Sequence, residues 1–246
     1  MDQQHILVLG ATGASGVAFI EAVLELSQQP YVTLFVRPGS RSKLPGSVNG
    51  RARIRIVEGA LANTQALKIA LSASDDASFP AATTVVSFLG AYLSVKAIFT
   101  RDQSHPIADA LRIAVLPTMK SCNVPRIMVL STPTAFLHSS ESKSMPWKWW
   151  FYTMIPLLFA PQGNAEMAGI ANAVASAGAE DDHLEWTIFR VPHLNDGNPS
   201  AEIVSGNLDQ KFTGSTELSR GSLARWVLKE VEGRNWIRQA PLLGNA

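Results

Sequence analysis

Ile6-Leu7-Val8-Leu9-Gly10-Ala11-Thr12-Gly13-Ala14-Ser15-Gly16 sends an apolar run straight into a G-x-x-G-x-x-G turn, and Val17, Ile20, Val23 and Leu24 then follow at helical spacing across Ser15–Leu26. A strand, a glycine turn and an amphipathic helix in that order form the phosphate-binding start of a βαβ unit. Gly10 permits the tight turn, Gly13 lets a pyrophosphate approach the backbone, and Gly16 lets helix and strand pack closely. The helix N-terminus behind them offers unsatisfied N–H groups to an anion. The stretch therefore reads as a dinucleotide site.

Outward from it, short β-branched runs alternate with longer helical patterns. The strands expected are Ile6–Leu9, Tyr31–Val36, Arg53–Val57, Thr83–Leu89, Arg126–Ser131 and Trp186–Arg190. Crossover helices are expected at Ala62–Leu71, at Ile107–Met119 (kinked or ended near Pro117) and at Ala165–Ala177, the last capped by Gly178. Ser219 reads as the N-cap of a final helix running to Glu232, with Gly233 behind it. The pattern predicts an α/β fold, a Rossmann-type doubly wound parallel sheet with helices on both faces. We read residues 1–246 as one domain, with 1–131 the cofactor-binding core. The stretches 132–163 and 191–214 read as irregular substrate-side loops, in a small C-terminal part that covers the substrate.

The second strand selects the cofactor. An NAD binder places an acid roughly 20 residues beyond the glycines, to hold the ribose 2′-hydroxyl. Here the sequence reads Phe35-Val36-Arg37-Pro38, with Arg41 and Lys43 following. A guanidinium matches a 2′-phosphate bidentately, so the position points to NADP(H). Arg51, Arg53 and Arg55 alternate with apolar residues instead, as a half-wet strand at a sheet edge would.

Composition bounds the rest. The 246 residues carry 21 Lys+Arg against 20 Asp+Glu, a formal net charge of +1, which excludes a nucleic-acid partner bound by phosphate neutralisation. The average hides an acid-free basic stretch between Glu25 and Glu58. An apolar content of 46% excludes wholesale disorder, and a single cysteine, Cys122, excludes an internal disulfide and a Cys-based metal site. His5, His105, His138, His183 and His193 show no paired metal spacing, so no metal is expected. No signal-peptide core is visible, and the apolar run from Trp149 to Ala160 is broken by Pro156. A cytoplasmic protein without integral membrane contact is expected, as monomer or homodimer.

The chain resembles an atypical short-chain dehydrogenase/reductase of the NmrA-like NAD(P)-binding family, which includes isoflavone-reductase-like and flavin- and biliverdin-reductase-like proteins. The pieces that carry the resemblance are the Gly10–Gly16 turn, Phe35-Val36-Arg37, Val85-Val86-Ser87-Phe88-Leu89-Gly90, Pro125–Ser131, Trp186-Thr187-Ile188-Phe189-Arg190-Val191-Pro192 and Leu218–Ala224. It implies cofactor contacts at Gly10, Thr12, Gly13, Ala14, Ser15, Gly16 and Arg37, and at Leu89, Gly90, Ala91 and Ser131. Val191 and Pro192 would lie near the nicotinamide. One departure is the missing acidic residue after the third strand, in Glu58-Gly59-Ala60-Leu61.

Short-chain dehydrogenases pair Tyr with Lys in Tyr-x-x-x-Lys, the lysine lowering the phenol's pKa. The match here, Tyr92-Leu93-Ser94-Val95-Lys96, follows the fourth strand, whereas the pair belongs on the helix after the fifth. Tyr152 is followed by Pro156 at the lysine position, and Ala165–Ala177 holds no lysine. The ordinary relay is therefore absent. Ser131 is the candidate to polarise an acceptor oxygen, with Tyr152, Tyr92 or His193 nearest the proton. Trp147, Trp150 and Phe151 read either as an aromatic wall for a bulky apolar substrate or as a lid or dimer patch. A membrane-surface helix is disfavoured because Lys143 and Lys148 are the only nearby cations. The function expected is an NADPH-dependent reductase of an apolar or aromatic ketone, quinone or enone. The alternatives are a non-catalytic NADP(H)-binding regulator and a redox-neutral isomerase or cyclase.

Overall fold

A computed structural model describes residues 4–76, 78–90, 105–137, 141 and 145–246. Its strands are β1 (His5–Leu9), β2 (Tyr31–Val36), β3 (Ile54–Glu58), β4 (Thr84–Ser87), β5 (Arg126–Ser131), β6 (Glu185–Arg190), β7 (His193–Asn195), β8 (Ile203–Gly206), β9 (Glu217–Ser219) and β10 (Leu242–Asn245). Eight of them form one sheet in the order β3-β2-β1-β4-β5-β6-β10-β8, parallel throughout except that β8 runs antiparallel to β10. β7 and β9 pair as a small parallel ribbon. Every residue of β1, β4 and β5 is buried, as expected of central strands covered on both faces. β3 lies at the sheet edge and is only half-buried, which accounts for its alternating arginines.

The helices are α1 (Ala14–Leu24), α2 (Thr64–Leu71), α3, α4 (Trp147–Phe159), α5 (Pro161–Glu180) and α6 (Arg220–Gly233). α3 is continuous through Pro106–Ala110, a π turn at Leu111–Val115 and Leu116–Ser121. Pro117 neither ends nor sharply breaks it. Proline has no N–H and its ring crowds the carbonyl four residues back, that of Ile113, and the wider π turn takes up that mismatch. α1 packs on α6, and α3 packs on α2 and α5, giving the two helical layers around the sheet.

Three expectations need correction. The stretch 132–163 is not irregular: it contains α4 and the first residues of α5, and β7 and β8 lie within 191–214. α4 forms because Trp149 is buried against Met145, Leu208, Phe212 and Leu242, and this anchoring carries the helix through Pro156. Gly178 is inside α5 rather than at its end. A Cβ there would lie 2.2 Å from Trp186 Nε1, so the glycine makes room for the indole from β6. Gly233 is likewise helical, and the left-handed residue that closes α6 is Arg234 (φ 54°). Ser219 is the N-cap expected, its Oγ accepting from Ser222 N–H.

Candidate functional site

The strand order reverses between β1 and β4, and the glycine turn lies at that point, at the carboxyl ends of the parallel strands. Gly10 has φ 80°, and a Cβ on it would come within 2.9 Å of the Phe88 carbonyl carbon, so the ends of β1 and β4 touch through it. Gly13 donates its N–H to Gly10 O at 3.1 Å and stands as the N-cap of α1 without any capping side chain. A Cβ on Gly16 would lie 2.3 Å from Gly10 O, which holds α1 against the turn. The first turn of α1 has no acid, its leading N–H groups lack a capping side chain, and Thr12 and Ser15 are half-buried beside them. This cradle, closed to larger side chains and open to an anion, fits a pyrophosphate.

Arg37 follows β2 directly and is exposed, and its guanidinium forms no hydrogen bond or ion pair among the described residues. Its backbone starts a turn in which Ser40 N–H donates to Arg37 O and Gly39 N–H donates to Glu58 Oε2 at 3.1 Å. The other arginines of the basic stretch are engaged elsewhere. Arg51 donates to Ser47 O and Arg53 to Gln29 O. Arg55 donates to Thr33 Oγ1 and Ala70 O and lies over the Phe79 ring. Arg37 is thus placed for a phosphate, whereas Arg51, Arg53 and Arg55 hold the sheet edge.

Beyond β4, Leu89 and Gly90 are half-buried, and a Cβ on Gly90 would have only ordinary contact with Met167 Sδ at 3.5 Å. Ala91, Tyr92 and His138 lie outside the described residues. Ser131 is fully buried, and its hydroxyl donates to Met167 O at 2.9 Å. Its proton is therefore committed to α5, and Ser131 ties β5 to that helix instead of facing an acceptor. Val191 N–H donates to Ser131 O at 3.0 Å, so buried Val191 and Pro192 form a floor beside it.

Sequence reasoning passed over the next two hydroxyls. Thr132 Oγ1 lies 2.7 Å from Thr134 Oγ1, which in turn contacts Asn164 Oδ1 at the start of α5. The signal was available in Thr132-Pro133-Thr134, directly after a strand in which only Ser131 was singled out. A buried ion pair pins the same region: Arg190, at the end of β6, donates to Glu141 Oε1 at 2.9 Å, and Glu141 accepts from Leu137 N–H.

Tyr152, on α4, is half-buried, and this burial raises its phenol above the usual value, with a backbone hydrogen bond to His193 pulling the other way. The structure thus joins two of the candidate proton donors through one contact, although the His193 side chain is exposed on β7. Trp147, Trp150 and Phe151 do not line a described cavity. They are exposed on the outer side of α4, edge-to-face with one another.

A groove of about 890 Å³ runs between α3 and α5, lined in part by Pro125 and Leu184. These residues directly precede β5 and β6, so the groove belongs to the amino ends of the strands. The Lys120–Asp181 ion pair, 2.9 Å across and holding Asp181 below the usual carboxylate range, sits in its wall. We place the cofactor site at the carboxyl ends instead, where the glycine cradle is.

Comparisons agree with that placement. The model of a family described as NAD(P)H-binding matches residues 10–233. No curated protein matches by sequence. Among solved structures, a short-chain dehydrogenase/reductase (wide type) from Veillonella parvula in complex with NADP is similar with a TM-score of 0.69 and 16% identity, over 98% of this chain and 94% of that one. A Rossmann-fold NAD(P)-binding protein from Shigella flexneri gives 0.64 and 20%, over 99% and 94%. A protein assigned as an NADH-flavin reductase from Streptococcus pneumoniae gives 0.62 and 15%, over 99% and 100%. At such identities the likeness speaks for the fold, which is the doubly wound Rossmann arrangement read from the sequence.

Proposed function

The chain belongs to the NAD(P)H-binding family, and from that premise we propose that it is an NADPH-dependent reductase of a bulky apolar acceptor, a ketone, quinone or enone. The observation that carries this reading is Arg37, unpartnered among the described residues, at the end of β2 where an NAD binder would hold an acid. The pyrophosphate would lie against Gly10, Thr12, Gly13, Ala14, Ser15 and Gly16, and a 2′-phosphate against Arg37. Leu89, Gly90, Val191 and Pro192 would border the rest. The NADP complex of the Veillonella relative supports this choice by analogy.

Bound NADPH would supply the hydride. The chain's own part is to orient the acceptor and provide a proton. Thr132 is the half-buried hydroxyl next to the committed Ser131. With the Asn164 amide turned over, Asn164 Nδ2 donates to Thr134 and Thr134 to Thr132, which leaves the Thr132 proton free to polarise an acceptor oxygen. Tyr152, with its phenol raised above the usual value, stays protonated at neutral pH and is a proton donor. Loss of NADPH absorbance at 340 nm against a panel of quinones, enones, polycyclic ketones and free flavin tests the proposal. No consumption with any of them overturns it.

One observation favours a second reading, a cofactor-sensing protein without turnover: α5 carries neither tyrosine nor lysine, and the Ser131 hydroxyl is spent. That reading predicts clear NADPH binding with unequal affinity for NADP⁺ and no consumption. Equal affinities for the two would count against it.

A further inference from the structure

α4 has two apolar sides, and only one of them is used by the fold. Trp149 is buried, with Tyr152 packed on the same cluster. On the other side Trp147 is 76% exposed, Trp150 47%, Phe151 60%, Leu157 42% and Leu158 66%. At about 100° per residue these five positions and Met154 fall within an arc of about 120°, a continuous stripe along the helix. No charged side chain interrupts it. A stripe of this kind on one helix is more than the scattered surface apolar residues that need no explanation.

The charge around the stripe says what covers it. From Glu141 to Glu166 there is no acid between the two, while Lys143 and Lys148 lie there, and Lys148 is exposed. An interface between copies or with a globular partner gains no advantage from such one-signed surroundings, whereas an anionic lipid surface does. The residue types agree: indoles are favoured at the headgroup level of a bilayer, and Trp147 and Trp150 stand at the start of the helix with Leu157 and Leu158 one side along it. Among the described residues no helix is long and apolar enough to cross a membrane, so contact here would be in the plane of the interface.

We propose that the exposed face of α4, Trp147 to Leu158, is a peripheral membrane-binding surface that docks on anionic lipid. The two lysines, too few on their own, suffice when added to five exposed apolar side chains, because each lysine near an anionic surface adds about 1 kcal/mol to what burial supplies. Tyr152, reaching from the same helix to the His193 backbone, links this face to the carboxyl end of the sheet. The surface stands independently of the NADPH reading, and NADPH binding by the free protein reports that reading separately.

The test is sedimentation of the full chain with vesicles of phosphatidylcholine alone or with about one quarter phosphatidylglycerol. The protein should pellet with the anionic vesicles and be released by high salt. Brominated lipid should quench the exposed Trp147 and Trp150. The double variant Leu157→Glu/Leu158→Glu should lose binding by at least about tenfold, with NADPH affinity and far-ultraviolet circular dichroism unchanged. Absence of wild-type sedimentation, absence of quenching, or equal binding to the neutral vesicles overturns the proposal. So does a dimer of the free protein that the double variant dissociates, since the face would then pair two copies. The wild-type measurements decide the matter even if the variant fails to fold.

Discussion

Arg37→Asp puts the cofactor assignment at greatest risk. Arg37 is exposed just beyond β2 and engages no partner among the described residues, so replacing it removes nothing the fold depends on, and melting temperature should hold. Charge-assisted hydrogen bonds are worth about 1.5–3 kcal/mol each where sheltered. Water screens an exposed guanidinium, so the whole contact with a 2′-phosphate is worth about 2 kcal/mol, or roughly 30-fold in dissociation constant. Aspartate adds repulsion toward that phosphate and an acceptor for a ribose hydroxyl, so NADH binding should hold level or tighten while NADPH binding falls. Isothermal titration of wild type, Arg37→Ala and Arg37→Asp with both cofactors, at low and high salt, reads this directly. The wild-type preference for NADPH should shrink with salt. An unchanged NADPH affinity in the variants, or parallel losses for both cofactors, refutes the assignment.

Gly16→Ala forces a Cβ to within 2.3 Å of Gly10 O, a backbone atom that cannot swing aside; we expect a loss of at least about 2 kcal/mol in denaturant stability, together with weakened cofactor binding. His5 is buried, donating from Nδ1 to Pro80 O and accepting at Nε2 from Thr33, and burial lowers it to about 4 from 6.5. The unfolded chain binds the extra proton between those values, so stability falls as pH drops from about 6.5 to about 4, by about 3 kcal/mol in total; His5→Gln should flatten that part of the stability–pH curve, and an equal slope in both proteins removes His5 as its cause. Thr132→Val should lower kcat about tenfold or more with NADPH affinity retained, and Ser131→Ala should lower it less, cutting stability instead; the reverse order would return the polarising role to Ser131.

The parts of the fold legible in the sequence are those set by near neighbours. Tyr31–Val36 and Arg126–Ser131 are strands with the bounds read from the sequence, the alternation of Arg53 and Arg55 marks the edge strand, and Ser219 caps α6. The parts missed are those decided by remote partners. Gly178 looks like a cap until Trp186, from β6, is seen to need its space. Ser131 looks like an active hydroxyl until Met167 O is found to take its proton. Pro156 looks like a break, yet Trp149 fixes α4 through contacts with Leu208, Phe212 and Leu242 far along the chain. In the site the same division holds. The glycine cradle and Arg37 follow from local backbone demands and strand position, whereas the hydroxyls that face an acceptor depend on which of several threonines and serines the helices use up.

That dependence also bears on how a proton could be supplied without lysine. In a Tyr-x-x-x-Lys pair the cation lowers the phenol's pKa so that it can exchange protons in both directions. Tyr152 is in the opposite situation: burial raises it, and Pro156 stands where a lysine would follow. Such a phenol is a poor base and a standing acid, suited to reduction in one direction and unsuited to the reverse oxidation, which needs a base. Tyr152→Phe should therefore slow reduction of a carbonyl acceptor while leaving NADPH affinity intact. The wild-type rate should show no alkaline limb from this residue below pH of about 10. A limb near neutrality that vanishes in Tyr152→Phe would mean that the phenol is activated after all, and would overturn the one-way proton supply drawn from its burial.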